Sequence, residues 1–212
     1  MTRARNVADI IKQPFTTTLG TSNYRAGVNA GNSITANTNY NVCIGDEAGT
    51  ALNGGDQNVL IGYLAGEDLV GGTNNVAVGD QAMKNEDGDG KNTAIGAQTL
   101  FSLNAGADSF NTAVGFQAGA GVSTGVENTL IGGLAGDALT DADFNVAVGS
   151  VALSADRKGN RSTAIGMGAL QNQNFASPTD SFNTAVGFQA GHDVTTGTSN
   201  TFIGALAGDI IA

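Results

Sequence analysis

The sequence predicts an all-β fold: a parallel β-roll solenoid wound from short coils. Three observations carry this reading. A nine-residue unit, Asn-(Val/Thr)-small-(Ile/Val)-Gly-x-x-Ala-(Gly/Leu), recurs ten times along the 212 residues. Its central glycines are spaced by 17, 17, 17, 19, 17, 17, 17, 21 and 17 residues. Glycine makes up 32 residues, about double ordinary usage, while apolar residues still reach 41%. Self-similarity at a fixed period marks stacked repeats. Seventeen residues are too few for a pair of full helices and suit two short strands and two turns.

Each slot of the unit has an expected role. Slot one holds Asn41, Asn58, Asn75, Asn92, Asn111, Asn128, Asn145, Asn183 and Asn200, with Ser162 in the eighth copy. A ladder of side-chain amides running from coil to coil would use them; an asparagine capping its own turn is the alternative. Side chains alternate along a strand, so slots two and four share one face. Slot four is always Ile or Val: Ile44, Ile61, Val78, Ile95, Val114, Ile131, Val148, Ile165, Val186 and Ile203. That column is expected to fill the interior. Slot three, mostly alanine, then faces outward and needs a sister chain to cover it. A narrow roll has little interior of its own, so assembly is the expected source of stability. The slot-five glycines read as turn residues with positive φ. Cys43, in slot three, reads as a small packed residue rather than a nucleophile.

A second period lies over the first. Residues Phe110–Gly119 (FNTAVGFQAG) return letter for letter at Phe182–Gly191. Slot nine runs Gly49, Gly66, Met83, Leu100, then Gly119, Gly136, Leu153, Leu170, so the coils come in sets of four. The long spacings end the sets, and their loops, Phe101–Phe110 and Gln171–Phe182, are expected to project. A degenerate eleventh copy spans Asn23–Gly31. Eleven coils at ~4.8 Å make a rod of roughly 50 Å.

Two segments follow. Residues 22–212 form the roll, and residues 1–21 lie outside the repeat. Ala4–Lys12 places Val7, Ile10 and Ile11 at helical spacing, and Pro14 would end that helix. Arg3 and Arg5 give this short helix or arm a basic character against an acidic remainder. It reads as an attachment segment, using Arg3, Arg5, Val7, Ile10 and Ile11 to dock on another component. A cap over the first coil and a disordered tail are the alternatives. At the other end, Ile210 and Ile211 either close the roll or give way to a partner.

The net charge of −10 speaks against a nucleic-acid partner, which needs a basic footprint. One cysteine allows no internal disulfide. No apolar stretch has the form of a secretory signal or the length of a membrane span, so synthesis in the cytosol without membrane insertion is expected. Catalysis needs converging titratable groups. His192 is the sole histidine and sits in a turn. Asp137, Asp141 and Asp143 cluster on one loop, where glycan cleavage would need two carboxylates at a set separation, and Glu86, Asp87 and Asp89 faintly resemble part of a calcium loop. Both groups read better as polar turns. No enzyme, metal or cofactor is expected.

Asn111–Gly119 and its siblings resemble the head repeats of YadA-like trimeric adhesins, and resemble still more the NTAxGxxA(G/L) repeats of phage tail fibres. The resemblance covers about residues 23–208. It implies a left-handed roll in a homotrimer. The signal peptide and membrane-anchoring barrel of an adhesin are not seen, which turns the expectation toward a virion protein made in the host cytoplasm. That protein would be a tail fibre or adaptor that joins other tail components through its N-terminal segment and contributes to attachment to a host glycan or protein. A cell-surface adhesin is the alternative, and a glycan-degrading spike a third reading.

Overall fold

The computed structural model describes residues 20–88 and 90–209. Within them the chain is a parallel β-solenoid of about eleven turns, without a helix. Its main sheet takes one three-residue strand from each coil: β1 (Tyr24–Ala26), β2 (Val42–Ile44), β3 (Val59–Ile61), β4 (Val76–Val78), β5 (Thr93–Ile95), β6 (Thr112–Val114), β7 (Thr129–Ile131), β8 (Val146–Val148), β10 (Thr163–Ile165), β12 (Thr184–Val186) and β13 (Thr201–Ile203). These pair in chain order. Equivalent slots face each other throughout, as in Tyr24↔Val42, Thr112↔Thr129 and Thr163↔Thr184. The degenerate first copy is therefore a true coil. The N-terminal attachment residues Arg3, Arg5, Val7, Ile10 and Ile11 lie outside the described residues, as do Asp89 and the Ile210–Ile211 pair.

The expectation of two strands per coil is corrected to one. The return run of each coil bends too often to be extended, yet its backbone still bonds to its neighbours: Gly66 N–H reaches Ala82 C=O at 2.9 Å and Asn53 N–H reaches Val70 C=O at 2.7 Å. Only the long coil and the one before it depart from this: β9 (Gly159–Asn160) of the earlier coil and β11 (Thr179–Asp180) of the long one form a second, two-stranded parallel sheet.

Left-handed residues hold each strand to three. The residue before slot one has positive φ, as at Phe110 (52°), and the slot-five glycine has it again, as at Gly115 (134°). The glycine is forced by packing as well as by φ: a Cβ on Gly115 would stand 2.6 Å from the carbonyl oxygen of Gly132 in the next coil. Stacked coils approach so closely at this corner that only glycine fits.

The facing of the strand is the reverse of the expectation. Slot three points inward, and Cys43, Leu60, Ala77, Ala94, Ala113, Leu130, Ala147, Ala164 and Ala185 are fully buried. None of the slot-four residues Ile44, Ile61, Val78, Ile95, Val114, Ile131, Val148, Ile165, Val186 and Ile203 is buried; they are half-buried or exposed on the outer face, Ile203 at 73%. The physical reason is room. A seventeen-residue coil encloses a narrow interior, which admits alanine and a few leucines but not a β-branched side chain in every coil.

Volume compensation within that interior accounts for the four-coil sets. Where slot nine is glycine, Leu60 or Leu130 fills the space: a Cβ on Gly66 would lie 2.9 Å from Leu60 Cδ2, and one on Gly136 2.8 Å from Leu130 Cδ2. In the last two coils of each set slot three is alanine and slot nine supplies Met83, Leu100, Leu153 or Leu170, all fully buried. Where both slots are small, at Ala113 with Gly119 and Ala185 with Gly191, the side chains of the adjacent coils fill the gap, Leu100 and Leu130 at the first and Leu170 and Phe202 at the second. Large and small residues thus alternate across the core at near-constant volume. Slot twelve adds a further inward column of Leu52, Leu69, Leu103, Val122 and Leu139, interrupted by buried Glu86, Asp156 and Gln173.

Candidate functional site

Two features run the length of the roll, one inside and one outside. The inner feature is the slot-one column, whose asparagines are buried except for half-buried Asn200. From Asn41 to Asn128 each Oδ1 accepts the backbone N–H of the asparagine one coil on, as Asn41 from Asn58 at 2.8 Å, Asn58 from Asn75 at 2.9 Å, Asn111 from Asn128 at 2.9 Å and Asn128 from Asn145 at 3.0 Å, and Asn145 accepts from Ser162 at 2.9 Å. The side-chain NH₂ donates to a carbonyl fourteen residues on, as Asn128 does to Ala142 at 2.8 Å and Asn145 to Gly159 at 2.9 Å. Asparagine suits this place because one planar group offers an acceptor toward one coil and donors toward the return run. At the eighth copy Ser162 is too short to continue the ladder. Gln173 bridges the gap, donating to Ser162 Oγ at 2.9 Å and accepting from Asn183 Nδ2 at 2.7 Å.

The outer feature is the eleven-stranded face. From β2 to β13 the main-sheet strands present Val or Thr at slot two beside Ile or Val at slot four, in register; β1 has Tyr24 and Ala26 in these places. Aromatic residues flank the strands on both sides: Tyr40, Phe110, Phe144 and Phe182 precede them, and Tyr63, Phe116 and Phe188 follow, each exposed by 41% or more. The strands alone present a strip of about 500 Å², at ~4.8 Å per strand over roughly 10 Å of strand length. The flanks are mixed, with Asn74, Lys91, Glu127, Asp46 and Asp80 standing between the aromatics, so the apolar strip is of the roughly 300–600 Å² size typical of the largest, often functional, patch on a monomer.

Both long loops return to this face in the same way. Lys91 pairs with Asp108 while lying 5.0 Å from the ring centre of Phe110. Arg161 pairs with Asp180 while lying 5.0 Å from the ring of Phe144 and 6.0 Å from that of Phe182. Buried Leu103 and Ser109 pin one loop, and Gln173, Phe175 and Ser181 pin the other; their exposed stretches lie between these anchors. The slot-twelve column and the cation–aromatic pairs were missed in the sequence. The fixed 17-residue recurrence of Leu52 and Leu69 was the available signal for the first. The second depends on loop closure and has no local signature.

The titratable groups are dispersed. Cys43 is buried, and desolvation pushes its thiol up to about 12 despite the nearby Arg25 charge. His192 Nδ1 lies 2.7 Å from Asp193 Oδ1, and this hydrogen bond holds the Asp193 carboxyl below its ordinary value. Asp141 meets Lys158 at 3.7 Å, and Asp143 accepts the Val126 N–H at 2.8 Å. Asp137 is raised by desolvation, with its Oδ1 buried and lacking a hydrogen-bond partner among the described residues. No group of three or more His, Cys, Asp or Glu side chains among the described residues is placed to hold a metal ion. No helix among them is long and apolar enough to cross a membrane.

Comparison with protein families, curated proteins and solved structures finds no match to this chain.

Proposed function

We propose that the chain is a structural segment of a homotrimeric fibre on a phage virion, a tail fibre or adaptor that contributes to attachment at the host surface. The observation that carries the proposal is the outer face. It is apolar, continuous and in register along the roll, and a second copy of the chain presents the same period to meet it. A stable interface buries roughly 800 Å² per partner, with an apolar centre and a polar rim, which the strip and its mixed aromatic and polar flanks together span. Three chains in a left-handed winding is the arrangement implied by resemblance to tail-fibre and adhesin-head repeats. Sister subunits then meet through Val114, Ile131, Val148 and their equivalents, not through slot three. The asparagine ladder and core packing support a scaffold role. The N-terminal segment joins the fibre to other tail components after synthesis in the host cytoplasm.

Antibody labelling of purified particles under negative stain tests the assignment. Label on tail appendages is expected. Label confined to intact cells that carry no phage would favour a cell-surface adhesin and overturn it.

A further inference from the structure

We propose that a cleft between the long coil and the coil before it, walled by Arg157, Lys158, Asn174, Phe175 and Ala176, binds one carboxylate-bearing sugar unit of an acidic glycan. The inference rests on the host-attachment reading above and names the chemistry of its ligand.

The repeat itself is scaffold, so a place where it is deliberately broken is where a site can be built. The coil between Gly166 and Gly187 carries four residues more than the standard spacing. Its β11 pairs with β9 of the coil before it to form the second sheet. The cleft lies between these two runs, with a volume of about 200 Å³. That is below the ~300 Å³ at which drug-sized ligand pockets begin, a size suited to a single monosaccharide.

Its walls are held in place from behind. Asp156 is fully buried and joins both. Its Oδ1 accepts the N–H groups of Lys158 at 3.3 Å, Gly159 at 3.1 Å and Phe175 at 3.2 Å, and its Oδ2 accepts from Gln173 Nε2 at 2.6 Å. Gly159 leaves the space these contacts need: a Cβ there would stand 2.1 Å from Asp156 Oδ2 and 2.8 Å from the Phe175 ring. The equivalent buried acid one set earlier, Glu86, precedes a coil with two extra residues rather than four, and Asp87 and Gly88 stand there in place of Arg157 and Lys158.

The charge is the second argument. A chain of net charge −10 places three of its nine Lys and Arg residues between positions 157 and 161. Arg161 is taken by Asp180, and Lys158 is only loosely held by Asp141 at 3.7 Å. The Arg157 guanidinium is exposed and makes no ion pair among the described residues. A free planar fork beside an ammonium group fits a carboxylate. The exposed Asn174 amide can meet sugar hydroxyls, and Ala176 with the edge of Phe175 offers an apolar floor. The cleft shares no residue with the eleven-stranded face, so subunit packing leaves its lining free.

Saturation-transfer NMR and calorimetry on the full chain, with an α-linked trigalacturonate as probe, test the proposal. Trigalacturonate should bind, while the same trisaccharide with its carboxyls reduced to alcohols should not. Arg157→Gln should weaken binding by about tenfold or more, and Lys84→Gln, which removes a cation paired with Glu67 elsewhere on the roll, should leave it unchanged. Absence of trigalacturonate binding, equal binding of the reduced sugar, or an unaffected Arg157→Gln variant would overturn the cleft. A triglutamate peptide binding as tightly as trigalacturonate would overturn its assignment to a sugar. Sedimentation separates the two readings: a trimer that ignores the acidic sugar sinks only the cleft, and a monomer that binds it sinks the fibre.

Discussion

Replacing Asn128 with aspartate should convert a pH-independent structural element into a pH-dependent one. Asn128 is buried, accepts from Asn145 through both the backbone N–H (3.0 Å) and Nδ2 (3.2 Å), and donates to Ala142 C=O at 2.8 Å and Asn111 Oδ1 at 3.2 Å. Aspartate keeps the two accepted bonds. Once ionised it turns an oxygen toward two acceptors: Ala142 C=O loses its donor, while Asn111 Oδ1 keeps the backbone N–H of residue 128. The orphaned carbonyl costs about 1–3 kcal/mol, and the buried charge facing two oxygens costs about as much again or more, so about 4–6 kcal/mol should be lost at pH 7. In acid the protonated carboxyl can donate to Ala142 again, which reduces the cost to about 1–2 kcal/mol. The difference of roughly 3 kcal/mol corresponds to a carboxyl raised about two units above its unfolded value near 4. The sign is fixed by linkage. The folded variant binds its proton more tightly than the unfolded chain, so its deficit is smallest below about pH 4, deepens through about pH 6 and is constant above. Urea unfolding of both proteins at one protein concentration across pH 3–8 reads this directly. A deficit that does not change with pH, or an aspartate variant as stable as the parent at neutral pH, would refute the hydrogen-bond assignment of the ladder.

Further outcomes follow from individual positions. Gly115→Ala should cost about 3 kcal/mol or more, from positive φ and the 2.6 Å approach to Gly132 oxygen. Gly71→Ala, where a Cβ meets nothing within 4 Å, should be neutral or slightly stabilising in the same melts. Cys43, with its thiol near 12, should resist a thiol reagent at neutral pH until the chain unfolds, and label at the rate of global opening; rapid labelling of the folded protein would contradict its burial. The Asp137 carboxyl is raised above 3.8, so ionising it weakens the folded state as pH rises through and just above that value. Asp137→Asn should therefore gain stability relative to the parent across that window and hold the gain at neutral pH, with none below it.

Much of the architecture was legible in the sequence because a solenoid repeats its instructions. The fixed spacing of the slot-five glycines gives coil length, and Phe110–Gly119 with its copy at Phe182–Gly191 gives the longer period. The facing of the strand was not legible. In a strand with apolar residues on both sides, alternation separates two faces but does not say which is inner. The deciding quantity was interior width, which shows in the exchange of Leu60 against Gly66 and of Ala77 against Met83. Those pairs were visible as a pattern, but their meaning needs the distance across the coil. The second sheet at Gly159–Asn160 and Thr179–Asp180 depends on contacts made by the inserted loop, and the bridging of Ser162 by Gln173 depends on a fold back across eleven residues. Neither has a signal in local spacing.

The claim beneath the fibre assignment is that sister chains cover the outer face of the eleven-stranded sheet. Sedimentation equilibrium of the full chain, beside an Ile131→Lys variant whose new charge would stand in the middle of that face, tests it most directly. The parent should sediment at three times the chain mass, and the lysine variant should dissociate or lose cooperative folding. A parent that is monodisperse at the mass of one chain, or a lysine variant that stays trimeric, would contradict the account.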